Sequence, residues 1–122
     1  MAILSLGDNL LLDIFKQNDE NTREYDSSIL MEKNSLWIMT GEMYENYLHG
    51  IVDRNADILN KEKILNFDQC SDEFKEKLIN LERTEQGDHI YPRETRISLT
   101  FRIVKRARKP PAGLLTQLLG KK

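Results

Sequence analysis

Arg96, Ser98, Thr100 and Arg102 occupy alternate positions of segment 96–102, RISLTFR. In a strand, alternate side chains share a face. Two guanidiniums and two hydroxyls therefore lie on one side, and Ile97, Leu99, Phe101 and Ile103 on the other, where they are expected to pack on a core. Two readings of the polar side stand open. It is a solvated face of a half-buried strand, or it lines a pocket in which two arginines grip carboxylates. Six residues of strand separate Arg96 from Arg102 by about 20 Å at roughly 3.3 Å each. Two side chains leaning inward leave a gap that admits a short dicarboxylic acid. His49, in Tyr47-Leu48-His49-Gly50-Ile51, is either a structural imidazole or a metal ligand of the kind that suits iron. His89 is expected in a loop with no special role. Cys70 has no second cysteine to pair with, which excludes an internal disulfide and points to a reducing compartment.

These side chains need elements to hold them. Segment 2–16 has two apolar runs around Gly7-Asp8-Asn9, which reads as a tight turn between two strands. Residues 17–26 read as an exposed loop. The apolar runs 29–31 and 36–39 flank Glu32-Lys33-Asn34-Ser35, a second hairpin candidate with Asn34 in the turn. In 41–48, Met43, Tyr44, Tyr47 and Leu48 fall on one helical stripe, predicting a short helix that Gly50 ends. Segment 52–92 reads mainly as a long charged loop or insertion. Within it, Ser71 is positioned to cap a helix running to about Arg83, with Phe74, Leu78 and Leu81 on one side. The clearest strand is 94–104. Beyond it, Pro110-Pro111 precedes a short apolar segment from Leu114 to Leu119. The pattern predicts a mainly β domain with one or two short helices.

The bulk properties agree with a small domain or a portion of a larger one. The chain has 122 residues, 39% of them hydrophobic and 31% charged. It has no run of about 18 apolar residues, so no transmembrane helix is expected, and its N-terminus has no secretory pattern. The formal net charge of −2 hides an asymmetry: residues 1–92 carry 9 Lys/Arg against 19 Asp/Glu, and residues 93–122 carry 9 Lys/Arg against Glu94 alone. The basic 105–122 tail either is solvated or engages an anionic partner such as nucleic acid. As a binding module without catalysis, the chain would use that tail.

Three blocks together resemble the closing motifs of the AlkB-family dioxygenases. Ser5-Leu6-Gly7 is similar to the family's SLG strand end. Segment 35–51, SLWIMTGEMYENYLHGI, is similar to its hydrophobic strand, short helix and HGI iron-ligand motif. RISLTFR is similar to its R-x-S/N-L-T-x-R strand. The resemblance implies that residues 1–122 are the C-terminal portion of a jelly roll, a double-stranded β-helix, that binds Fe(II) and 2-oxoglutarate. It implies His49 as an iron ligand, Arg96 on the far carboxylate of 2-oxoglutarate and Arg102 at the metal-proximal end, with Ser98 and Thr100 lining the same face. It implies oxidative dealkylation or hydroxylation, with nucleic acid as the substrate class and the cytoplasm and nucleus as the location. The family's remaining two iron ligands form a His-x-Asp pair ahead of the SLG strand. No His-x-Asp occurs in this sequence, so the expectation is a truncated chain, inactive by itself.

Overall fold

The computed structural model describes residues 1–102; Ile103, the 105–122 tail and its apolar segment lie outside them. The architecture is mainly β, as expected. Strands β1 (Ala2–Gly7), β4 (Ser35–Ile38) and β8 (Arg96–Phe101) form one antiparallel sheet in the order β4-β1-β8. A second antiparallel sheet runs β3-β2-β5, from Arg23–Met31, Leu10–Gln17 and Tyr47–Gly50. Strands β6 (Ala56–Leu59) and β7 (His89–Pro92) make a separate ribbon. Two short α-helices, α1 (Gly41–Glu45) and α2 (Asp72–Leu78), and one 3-10 turn complete the described elements.

Strand β2 explains the layering. Residues 10–14 are all buried, as happens when both faces of a strand are covered. Leu12 and Ile14 face β1 and pack with Ile3, Ile29, Met31 and Met39. Leu11 points the other way and packs with Leu30, Leu59, Ile64, Cys70, Phe74, Leu78 and Tyr91. The second sheet is thus the middle of three layers, between the first sheet and the region holding β6, β7 and α2.

Several expectations change. The Gly7-Asp8-Asn9 turn does not close a hairpin: β1 pairs with β4 and β8, while β2 pairs with β3 and β5. The turn carries the chain from one sheet to the other. The same holds for 32–34 between β3 and β4, where Asn34 does take a positive φ of 58°. Half of 17–26 belongs to β2 and β3, which pair across a short loop with a bulge between Ile14 and Phe15. Helix α1 ends at Glu45, and Tyr47 and Leu48, assigned to the helical stripe, lie with Gly50 in β5. Segment 52–92 holds more regular structure than a loop: the β6–β7 ribbon, a 3-10 turn at Phe67–Gln69 and α2. His89 is accordingly a buried strand residue. Ser71 does cap α2, its Oγ accepting from the Phe74 backbone N–H at 3.2 Å, but the helix stops at Leu78.

Candidate functional site

The largest change concerns β8. Ile97, Leu99 and Phe101, expected to meet a core, are between 49 and 60% exposed. The polar side of the strand borders a pocket, with Arg96 half-buried there and Ser98, Thr100 and Arg102 exposed. Arg96, Ser98, Thr100 and Arg102 line a cavity of about 140 Å³ between the two sheets, together with Ile3, Leu12, Met31 and His49. Both features of the face, solvated and pocket-lining, are therefore present. Wider clefts of about 470 Å³ around His89 and about 310 Å³ around Lys33 and Glu73 lie elsewhere, away from these residues.

Backbone pairing brings the groups together. Gly7 is opposite Arg96 and Ser5 opposite Ser98 on the β1–β8 ladder, while His49 is opposite Ile14 on the β2–β5 ladder. Ile14 is fully buried on the inner face, and its partner His49 shares that face. The start of β8 is tied down by the turn after β1. The Asp8 backbone N–H donates to Thr95 O at 3.2 Å, and the Asp8 carboxylate accepts from Glu94 N–H at 3.0 Å and from the Tyr91 hydroxyl at 2.7 Å. Gly7, at φ +86°, has space for no side chain, because a Cβ would stand 2.6 Å from Thr95 O.

The Arg96 guanidinium donates from Nε to Ser5 Oγ at 2.9 Å and from Nη2 to Met31 Sδ at 3.7 Å. Neither acceptor is charged. Among the described residues, the ion pairs use Lys16, Lys33, Arg54 and Arg93, and none uses Arg96. Burial without a counter-charge holds the Arg96 guanidinium below its ordinary value, because desolvation disfavours the charged form. Among the described residues, no carboxylate pairs with this half-buried cation. Ser98, Thr100 and Arg102 are exposed, so the Arg102 end is open. Among the described residues, His49 Nδ1 is buried without a hydrogen-bond partner.

The residues can be tested against a metal and a diacid. An iron facial triad takes two imidazoles and a carboxylate. Among the described residues no three His, Cys, Asp or Glu groups converge in that way, and His49 is the imidazole at the cavity. The described residues do not by themselves make an iron site.

Sequence reasoning missed the residues that hold this arrangement. Ser5, fully buried beneath Arg96, stood in a motif but had no assigned contact. Its alternation with Ile3 on an apolar strand was the available signal. Behind β2, Arg54 pairs with Asp13 at 3.0 Å and Asp57 at 2.8 Å, and Arg93 pairs with Asp57 at 2.7 Å. Asp57 also accepts from the Leu11 backbone N–H at 3.1 Å. Arg93 and Asp57 lie 36 positions apart, and no local spacing announces such a pair.

A curated relative is consistent with the motif reading. The chain is 31% identical over 116 residues to the Probable RNA/DNA demethylase ALKBH6 of Danio rerio. This partial, distant similarity supports an AlkB-family relationship. The match covers 85% of this chain and 42% of the relative, so the chain spans less than half the length of that AlkB homologue. No family profile matches the chain, and no solved structure does. Among the described residues, no helix is long and apolar enough to cross a membrane.

Proposed function

We propose that this chain contributes the 2-oxoglutarate-binding half of an AlkB-like, Fe(II)-dependent dioxygenase of jelly-roll fold that acts on alkylated nucleic acid in the cytoplasm and nucleus. The observation that carries the reading is the Arg96 guanidinium: half-buried, hydrogen-bonded to neutral groups, and facing a small cavity shared with Arg102 and His49. A charge desolvated in this way gains most from an anionic ligand, and arginine suits a carboxylate through paired N–H donors. Arg96 grips the distal carboxylate, Ser98 and Thr100 line the same face, and Arg102 sits at the metal-proximal end. His49 contributes one imidazole toward iron, which supplies oxygen activation when the full triad is assembled. The name of the AlkB homologue supports nucleic acid as the substrate class.

The test has two stages. Calorimetry with 2-oxoglutarate should give binding to the unaltered chain that Arg96→Met abolishes. Fused behind a segment carrying His-x-Asp, the chain should convert 2-oxoglutarate to succinate in a manner lost in His49→Ala. Binding unchanged by Arg96→Met, or turnover indifferent to His49, defeats the reading.

A further inference from the structure

We propose that Ser5 and Met31 are positioning residues for Arg96, turning the end of its guanidinium into the cavity so that one carboxylate of a small diacid docks on two parallel N–H bonds. This rests on the 2-oxoglutarate reading of the same cavity and goes beyond it in assigning how the arginine is oriented.

The argument is geometric. A guanidinium is a planar fork with five donors. Its Nε–H and the neighbouring Nη2–H point to one side; the outer hydrogens of Nη1 and Nη2 point off the end. Here the side edge is taken: Nε–H by Ser5 Oγ at 2.9 Å and Nη2–H by Met31 Sδ at 3.7 Å. Among the described residues no acceptor takes Nη1, and in the proposal the end edge is the one offered to a carboxylate in bidentate geometry. The two acceptors come from different sheets, Ser5 from β1 and Met31 from β3, and both are fully buried. A side chain held between two packed sheets has little freedom to swing.

The identity of the acceptors matters as well. An aspartate at position 5 would fix the same Nε–H, but it would neutralise the charge and compete with the ligand. Serine and methionine orient the guanidinium and leave its charge intact. Ser5 lies two residues along β1 from Gly7, the residue opposite Arg96, so it is within diagonal reach across the ladder.

The experiment uses nitrogen-edited NMR of the arginine side chains in the intact chain, with Arg96→Lys to assign the Arg96 signal. In Ser5→Ala, exchange of the Arg96 Nε–H with solvent should accelerate about tenfold, since the hydrogen bond that protects it is gone. Affinity for 2-oxoglutarate should fall about tenfold, the scale of one hydrogen bond to a charged group. Ser5→Cys, whose sulfur is a weaker acceptor, should fall between. Met31→Leu, close in volume, should give a smaller loss in both readouts and serves if Ser5→Ala fails to fold. Circular dichroism melts check that folding is retained. Equal exchange and equal affinity across folded variants overturn the proposal. Faster exchange in Ser5→Ala, with no response of the unaltered chain to the diacid, upholds the orienting role and defeats the co-substrate reading instead.

Discussion

Arg96 illustrates how function and stability pull apart at one residue. Its guanidinium is partly withdrawn from water and meets serine and methionine in place of an acid. Desolvating a charge is unfavourable unless it is paired. Arg96→Met should therefore leave the melting temperature unchanged or raise it, while removing carboxylate binding; thermal melts and ligand titration on the same sample check both halves. His89 is the opposite kind of residue, a buried imidazole with no part in the site. Burial, reinforced by Arg83 and Lys61, pushes its pKa below the ordinary 6.5. The unfolded chain then binds the proton more readily than the folded one, so stability is full above about pH 6.5 and declines as pH falls below it. His89→Gln should flatten that acid limb in urea titrations run at a series of pH values.

The elements place these residues, and the turn at Gly7 matters most. It carries the chain between sheets and presses its backbone against Thr95, one residue before Arg96. Gly7→Ala meets a positive φ and a close backbone oxygen together. A cost of about 2–3 kcal/mol is expected, combining left-handed strain with the displaced strand. Chemical denaturation measures that cost, and a loosened β8 should weaken 2-oxoglutarate binding as well. Much of this level was legible from residue types. The strands β1, β2, β4 and β8 follow their apolar runs, Asn34 takes the positive φ its type allows, and Ser71 caps α2. The misreadings share a cause. Tyr47 and Leu48 fit a helical stripe, yet four residues of β5 are held by pairing with β2, which a local pattern does not contain. The hairpins failed for the same reason, because a turn constrains its own backbone and not which strands pair.

At the scale of the whole molecule, the first sheet is inverted relative to a simple amphipathic reading. Its polar groups face the cavity, and its outer side is apolar: the ladder pairs Ala2 with Ile38 and Phe101, Leu4 with Leu36 and Leu99, and Leu6 with Ile97. Leu36, Ile38, Ile97, Leu99 and Phe101 are 49 to 70% exposed. Contiguous apolar surface of this kind promotes association. Leu99→Lys should cost less than about 1 kcal/mol, as a surface change does, and reduce self-association in sedimentation velocity. Loss of folding in Leu99→Lys would mean that this face is covered in solution.

Residue order by itself determined the mainly β character and the RISLTFR strand with its two-sided pattern, and it carried the motif resemblance that the relative supports, because alternation and motif spacing are local properties. It also identified Arg96, Arg102 and His49 as the groups to watch. Which side of β8 faces inward was decided by tertiary structure alone, since both sides are chemically admissible until a second sheet packs against one. So were the neutral acceptors beneath Arg96 and the Asp13–Arg54–Asp57–Arg93 network, whose members meet only when strands distant in the chain are paired.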